Sequence, residues 1–205
     1  MAKTSGSNSA RKTGGLPSGD SSYKGKVGKL ESISNIKNPQ VYKAVKESIS
    51  RYHSVLGVRQ QDIKLGTLPP GIGGVHVTAN GSSRQVVLNK SVFNGSKKSI
   101  ENSIAGAYKS GQLTKTNKPI AHIVTHELAH ATWNSHLTSP NAKAATKSIK
   151  SLYAKWIEDK RKSGYGKYAA TNISEFFAEV STKAVHGKAD RYTSQVKNII
   201  KKYNL

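Results

Sequence analysis

Residues 126–130 read His-Glu-Leu-Ala-His, set in the middle of an apolar run from Ile120 to Ala131. The combination is demanding. Positions four apart on a helix project from the same face, one turn from each other. His126 and His130 therefore share a face, with Glu127 beside them. Two imidazoles and a carboxylate buried without partners are costly, so the fold has to bring compensating groups to this helix from elsewhere in the chain. Pro119, at the first helical position, starts the helix, which is predicted to run to about Asn134.

Two histidines so placed can share one tetrahedral zinc ion. A glutamate next to the first of them lies beside the metal rather than on it. There it can take a proton from an attacking water and return it to a leaving amine. The H-E-x-x-H pattern thus offers two ligands and a general base. In a chain with seven His and seven Glu the pattern arises by chance in roughly one composition in a hundred, so its apolar helical setting carries as much weight as the letters.

A hydrolytic zinc site takes a third protein ligand and keeps its fourth position for water. The chain has no cysteine, so the third ligand is His, Asp or Glu. Downstream lies Asn-Ile-Ser-Glu-Phe-Phe-Ala-Glu-Val, residues 172–180, with Glu175 and Glu179 one helical turn apart in an apolar segment. One as ligand and the other as acceptor of a ligand imidazole N–H would satisfy both. Either order fits, and Asn172 to Glu175 also fits a helix cap. Tyr165 and Tyr168 stand just before this segment. His122, one turn before His126, reads as a structural histidine. His53, His76, His136 and His186 have no motif around them, and Trp133 and Trp156 read as core.

His-Glu-Leu-Ala-His followed by Tyr-Ala-Ala-Thr-Asn-Ile-Ser-Glu-Phe-Phe-Ala-Glu resembles the zincin metallopeptidases of the anthrax lethal factor and Pro-Pro endopeptidase family, over about Ile120 to Val185. The resemblance implies a zincin-like fold and a zinc endopeptidase with one catalytic Zn2+ acting on a peptide or protein substrate. It implies His126, His130 and Glu175 as ligands, Glu127 as general base, Glu179 orienting a ligand histidine, and Tyr168, with Tyr165 as the alternative, at the oxyanion, to which a phenol can donate without carrying charge. The segment Gly74 to Thr78 is a plausible edge strand for an extended substrate. The specificity side of the cleft lies outside the resemblance.

The rest of the chain reads as α+β, with a small hairpin sheet early and a helical half after it. Asn38-Pro39 opens a helix that Gly57 closes. Val75 and Val77 alternate with polar residues, Gln85 to Leu88 form a second run, and Asn80-Gly81 between them is a hairpin signal. Helices are predicted over 98–109, from Ser139-Pro140, over 175–185 and from about Asp190. Residues 34–205 form the domain. Residues 1–33 read as a basic Gly/Ser/Lys-rich arm, with six of its cations and one acid, Asp20, before residue 30.

Thirty-three Lys and Arg against 11 Asp and Glu give a formal charge of +22, which attracts polyanions such as nucleic acid or an acidic surface. The arm over 1–29 would make those contacts. No apolar leader or membrane span is present in the sequence. The chain therefore reads as soluble, whether cytoplasmic, virion-packaged or exported by a route other than Sec. A packaged structural protein of a bacteriophage virion, its zincin domain accessory or inactive, is the alternative reading. A secreted effector ranks below it.

Overall fold

The structure, a computed structural model, describes residues 23, 25–79, 83–159 and 164–205. Asn38 accepts the main-chain N–H groups of Gln40 and Val41 and caps α1 (Pro39–Leu56). Gly57 ends it at φ 68°, in the left-handed region where a side chain costs roughly 1 kcal/mol. There are four strands among the described residues: β1 (Glu31–Ser32), β2 (Asp62–Gly66), β3 (Gly74–Ala79) and β4 (Ser83–Asn89). They form one mixed sheet in the order β1-β2-β4-β3, with β2 parallel to β4 and the other two pairings antiparallel. The helices are a short α2 (Lys90–Phe93), then α3 (Lys97–Lys109), α4 (Pro119–His136), α5 (Ala142–Glu158), α6 (Ile173–His186) and α7 (Arg191–Tyr203).

The chain is thus α+β and mostly helical, as its pattern predicts. The β3–β4 pair lies where the hairpin is expected, although the Asn80-Gly81 turn itself lies outside the described residues. The sequence reading misses β1 and β2. Both are short, and β2 shows only two alternating apolar residues, Ile63 and Leu65.

One face of the sheet, through Ile63, Leu65, Val86 and Leu88, joins the main core with the helices. The other carries Val75 and Val87 and is covered by Leu68, Ile72, Tyr23 and Val27. Part of the segment read as an arm is therefore docked: Tyr23 N–H donates to the His76 carbonyl at 3.0 Å and Gly28 N–H to the Thr67 carbonyl at 3.0 Å. Glu31–Ser32 pairs with β2. The few apolar residues of this stretch suffice to cover a sheet face that would otherwise be wet. Residues 1–22 and 24 lie outside the described residues.

Helix α4 is buried nearly all round, packed by α1, α3, α6 and the sheet. A helix apolar on every side belongs at the centre of a domain, and that position puts its polar side chains where only protein can partner them. Among the described residues, no helix is long and apolar enough to cross a membrane.

Candidate metal centre

Helix α4 presents His126 and His130 on the face that meets α6, as the four-residue spacing requires. Asn172 caps α6 by accepting the Glu175 N–H at 2.9 Å, which places Glu175 in its first turn. The cap and the inward-facing carboxylate are therefore features of the same turn rather than competing readings. His126, His130, Glu175 and Glu179 are each 0% exposed, as is Glu127.

The donor atoms converge. His126 Nε2 and His130 Nε2 are 3.0 Å apart. Glu175 Oε2 is 3.1 Å from His126 Nε2, and Glu175 Oε1 is 3.3 Å from His130 Nε2. Yet neither Glu175 oxygen has a hydrogen bond of good geometry. The Glu175 oxygens thus face the two Nε2 atoms without bonding to them, as members of a ligand set do. The other ring nitrogens have oxygens behind them: His126 Nδ1 lies 3.1 Å from Glu179 Oε1, an ion-pair contact rather than a well-formed hydrogen bond, and His130 Nδ1 is hydrogen-bonded to Ser174 Oγ at 3.0 Å. Anchoring Nδ1 on each ring leaves Nε2 to face the centre. These three side chains, two imidazoles and a carboxylate, can hold a metal ion.

A second group, His122, His126 and Glu179, is also close enough to hold one. Filled together with the first, it would have to use His126 through both nitrogens, and Glu179 Oε2 already accepts the Thr114 N–H at 2.6 Å. We read it as the support of the first group.

The electrostatics point the same way. Burial raises the Glu175 carboxyl, but the two histidines outweigh it and bring it down to about 2. Burial also opposes ionisation of Glu179, and His122 and His126 overcome it and push it well below the usual carboxylate range. His126, which burial alone would deprotonate, is held up at about 10 by the same two carboxylates. His130 is lowered, burial being the largest cause, and stays neutral. Two ionised carboxylates in a dry site call for positive charge.

Glu127 is different. Burial is the main cause raising it to about 8, with His126 and the main-chain N–H of His76 acting weakly the other way and Glu175 reinforcing it. Neither of its oxygens has a well-formed hydrogen bond. Its side chain lies against β3 at Gly74, where a Cβ would come within 2.9 Å of Glu127 Cγ.

Tyr168 stands on a 3-10 turn, Lys167–Ala170, with its ring centroid 6.0 Å from that of His126. Burial, then Glu175 and Glu127, push its phenol up, so it stays protonated. Tyr165 is elsewhere: its hydroxyl donates to Asp190, and its ring packs on Trp156 and Tyr192. One stretch, 111–114, positions two functional groups. Lys167 and Tyr168 N–H donate to the Gly111 and Gln112 carbonyls, and Thr114 N–H holds Glu179. Gly166 makes this possible, since a Cβ there would strike the Gln112 carbonyl.

Ser174 and Thr114 have no place in the sequence-based expectation, and Gly74 and His76 enter it only as part of an edge strand for substrate, without their contacts to Glu127. Only Ser174, adjacent to Glu175, carried a signal in the sequence. The others reach the site through tertiary packing. No protein family, curated protein or solved structure matches the chain.

Proposed function

We propose that the chain is a zinc-dependent endopeptidase of the zincin type. The observation that carries this reading is the convergence of His126 Nε2, His130 Nε2 and Glu175 within 3.0–3.3 Å of one another, beside the buried carboxyl of Glu127. Tetrahedral bonds of about 2.0–2.1 Å put neighbouring ligand atoms about 3.3 Å apart, and two imidazoles with one carboxylate are a hydrolytic zinc set. When bound, zinc supplies Lewis acidity, making water a nucleophile at neutral pH and a carbonyl more electrophilic.

The chain's own residues do the rest. Glu127 takes the proton of the attacking water on a carboxyl oxygen and later passes it to the leaving amine nitrogen. Its dry surroundings make it a stronger base than an exposed carboxylate once it is ionised, which a cation at the centre would favour. Tyr168 donates its O–H to the oxyanion, a role that suits a phenol kept protonated by its neighbours. Glu179 and Ser174 keep His126 and His130 turned toward the centre.

The substrate lies along β3. That strand is at the sheet edge, and its register turns the main-chain groups of Gly74 and His76 away from β4. An extended peptide can add to such an edge. The Tyr23 N–H already does so at the His76 carbonyl, so a peptide would compete with it. Tyr23→Pro, which has no N–H, should lower KM about fivefold relative to Tyr23→Ala, the equivalent of one hydrogen bond near 1 kcal/mol. Steady-state kinetics on a cleaved peptide checks this.

Gly74→Ala should push the Glu127 side chain aside without touching a ligand. The expected result is full zinc content with kcat down on the order of 10²-fold, the penalty of a misplacement near 1 Å. Metal analysis beside the kinetics separates that from loss of the ion.

The reading itself is tested by incubating the zinc-loaded protein with a peptide library and identifying products by mass spectrometry. Cleavage that stops on chelation and returns with zinc is expected. Cleavage undiminished by chelation, or none with one zinc bound, would sink it.

A further inference from the structure

His122 is 0% exposed, one turn before His126 on α4, and no step described above uses it. Its Nε2 lies 3.3 Å from Glu179 Oε1, the same oxygen that lies 3.1 Å from His126 Nδ1. The other Glu179 oxygen accepts the Thr114 N–H at 2.6 Å. Three nitrogens from two segments therefore fix one carboxylate. The His122 ring is itself fixed. It stacks on the His126 ring with planes 17° apart, and Tyr108 meets it edge-on at 5.5 Å between centroids. Tyr108 is tied in turn through its hydroxyl to Thr116, at 2.8 Å.

A carboxylate anchored at one oxygen can still turn about the bond to its side chain. Thr114 holds only Oε2. A donor on Oε1 removes the remaining freedom and fixes the direction in which that oxygen accepts from His126. A neutral His122 ring can supply that donor only as the Nε2–H tautomer. Its Nδ1 is buried with no partner, which is the nitrogen that carries no proton in that tautomer.

We propose that His122 is a positioning residue: through Glu179 it fixes the tautomer and direction of His126, and so the affinity of the centre for its ion. This rests on the reading that His126 is a metal ligand, but not on any peptidase activity.

The test is zinc affinity, measured by competition with a chromophoric chelator, in wild type, His122→Phe and His122→Gln. Cobalt spectra of each report ligand geometry, and far-UV circular dichroism reports fold. Phe keeps the ring packing and loses the donor; Gln keeps an N–H donor. The expected result is one zinc per chain in wild type, an affinity tenfold to a hundredfold weaker in His122→Phe, the usual effect of removing a group behind a ligand, and recovery in His122→Gln to within about threefold. Equal affinity in wild type and the Phe variant would overturn the proposal, as would equal losses in both variants, which mark packing alone. Two zinc ions per wild-type chain, one lost in His122→Phe, would make His122 a ligand instead. Should the Phe variant fail to fold, long-range proton–nitrogen NMR of the zinc-loaded wild type still decides: the Nε2–H tautomer is expected, and the Nδ1–H tautomer would overturn the proposal. A wild type that binds no zinc brings down the metal reading and this inference with it.

Discussion

Replacing Glu127 by Gln is expected to leave one zinc bound and to reduce peptide hydrolysis by at least 10²–10⁴-fold, the usual contribution of a positioned acid–base group. The amide has the same shape and cannot accept the proton of the attacking water. Zinc content should hold because the His126, His130 and Glu175 donors converge without Glu127. Full activity in this variant would remove the mechanism. The same substitution has a second signature, in chelator-treated protein. The Glu127 carboxyl is raised by burial to about 8 from 4.5. Between those values the folded chain holds a proton that the unfolded chain has released, so wild-type stability falls as pH rises through that window. The loss is on the order of a few kcal/mol. His126 contributes in the same direction but later: it is raised from 6.5 to about 10, and its stabilisation is fully present below the first value and lost through the second. Urea denaturation as a function of pH should therefore show the earlier loss in wild type and not in Glu127→Gln. Coincident curves would mean that Glu127 is not a buried acid.

Much of this was legible in the sequence, for reasons that are local. A four-residue spacing fixes a shared helix face whatever surrounds it, so His126 and His130 could be paired from their positions alone. Pro119, Asn38 with Pro39, Asn172 and Gly57 mark helix ends through their own backbone chemistry, and each marks one here. The α+β pattern followed from strand alternation and helical spacing. What could not be read was everything that depends on which segments meet. The parallel pairing of β2 with β4 joins residues more than twenty apart, with only Ile63 and Leu65 to suggest a strand. Gly74 is an ordinary strand glycine until Glu127 packs on it. Thr114 acts through its main-chain N–H, which every residue but proline possesses. His122 was read as structural because one turn before a motif says nothing about a carboxylate 57 residues downstream. The docked residues, Tyr23 and 25–32, show the converse. Their composition argues against independent folding, yet a few apolar residues are enough to cover a face that the sheet has already formed.

The division of labour between Glu175 and Glu179 leads to a graded result. Glu175→Ala should weaken zinc binding well beyond the tenfold to hundredfold expected of a supporting group, while Glu179→Ala should stay within that range. The geometry sets the order. Glu175 faces the Nε2 atoms of both histidines, whereas Glu179 faces His126 Nδ1, His122 and Thr114 and approaches the centre only through His126. The reverse order would make Glu179 the ligand. Proton release gives an independent check. His126 is held at about 10 by the two carboxylates, so at neutral pH it must lose a proton before its Nε2 can bind an ion. In Glu127→Gln, which removes the other buried group that holds a proton near pH 7, zinc binding should therefore release about one proton from His126, and affinity should rise roughly tenfold per pH unit until His126 deprotonates unaided. Calorimetry in buffers of different ionisation enthalpy measures that proton directly. In Glu175→Ala, His126 loses one of the two groups that keep it charged, so less of a proton should be released even as affinity falls. A simple loss of packing would weaken binding without changing the proton count. A joint fall in affinity and proton release is therefore the mark of a carboxylate that shares the centre with His126.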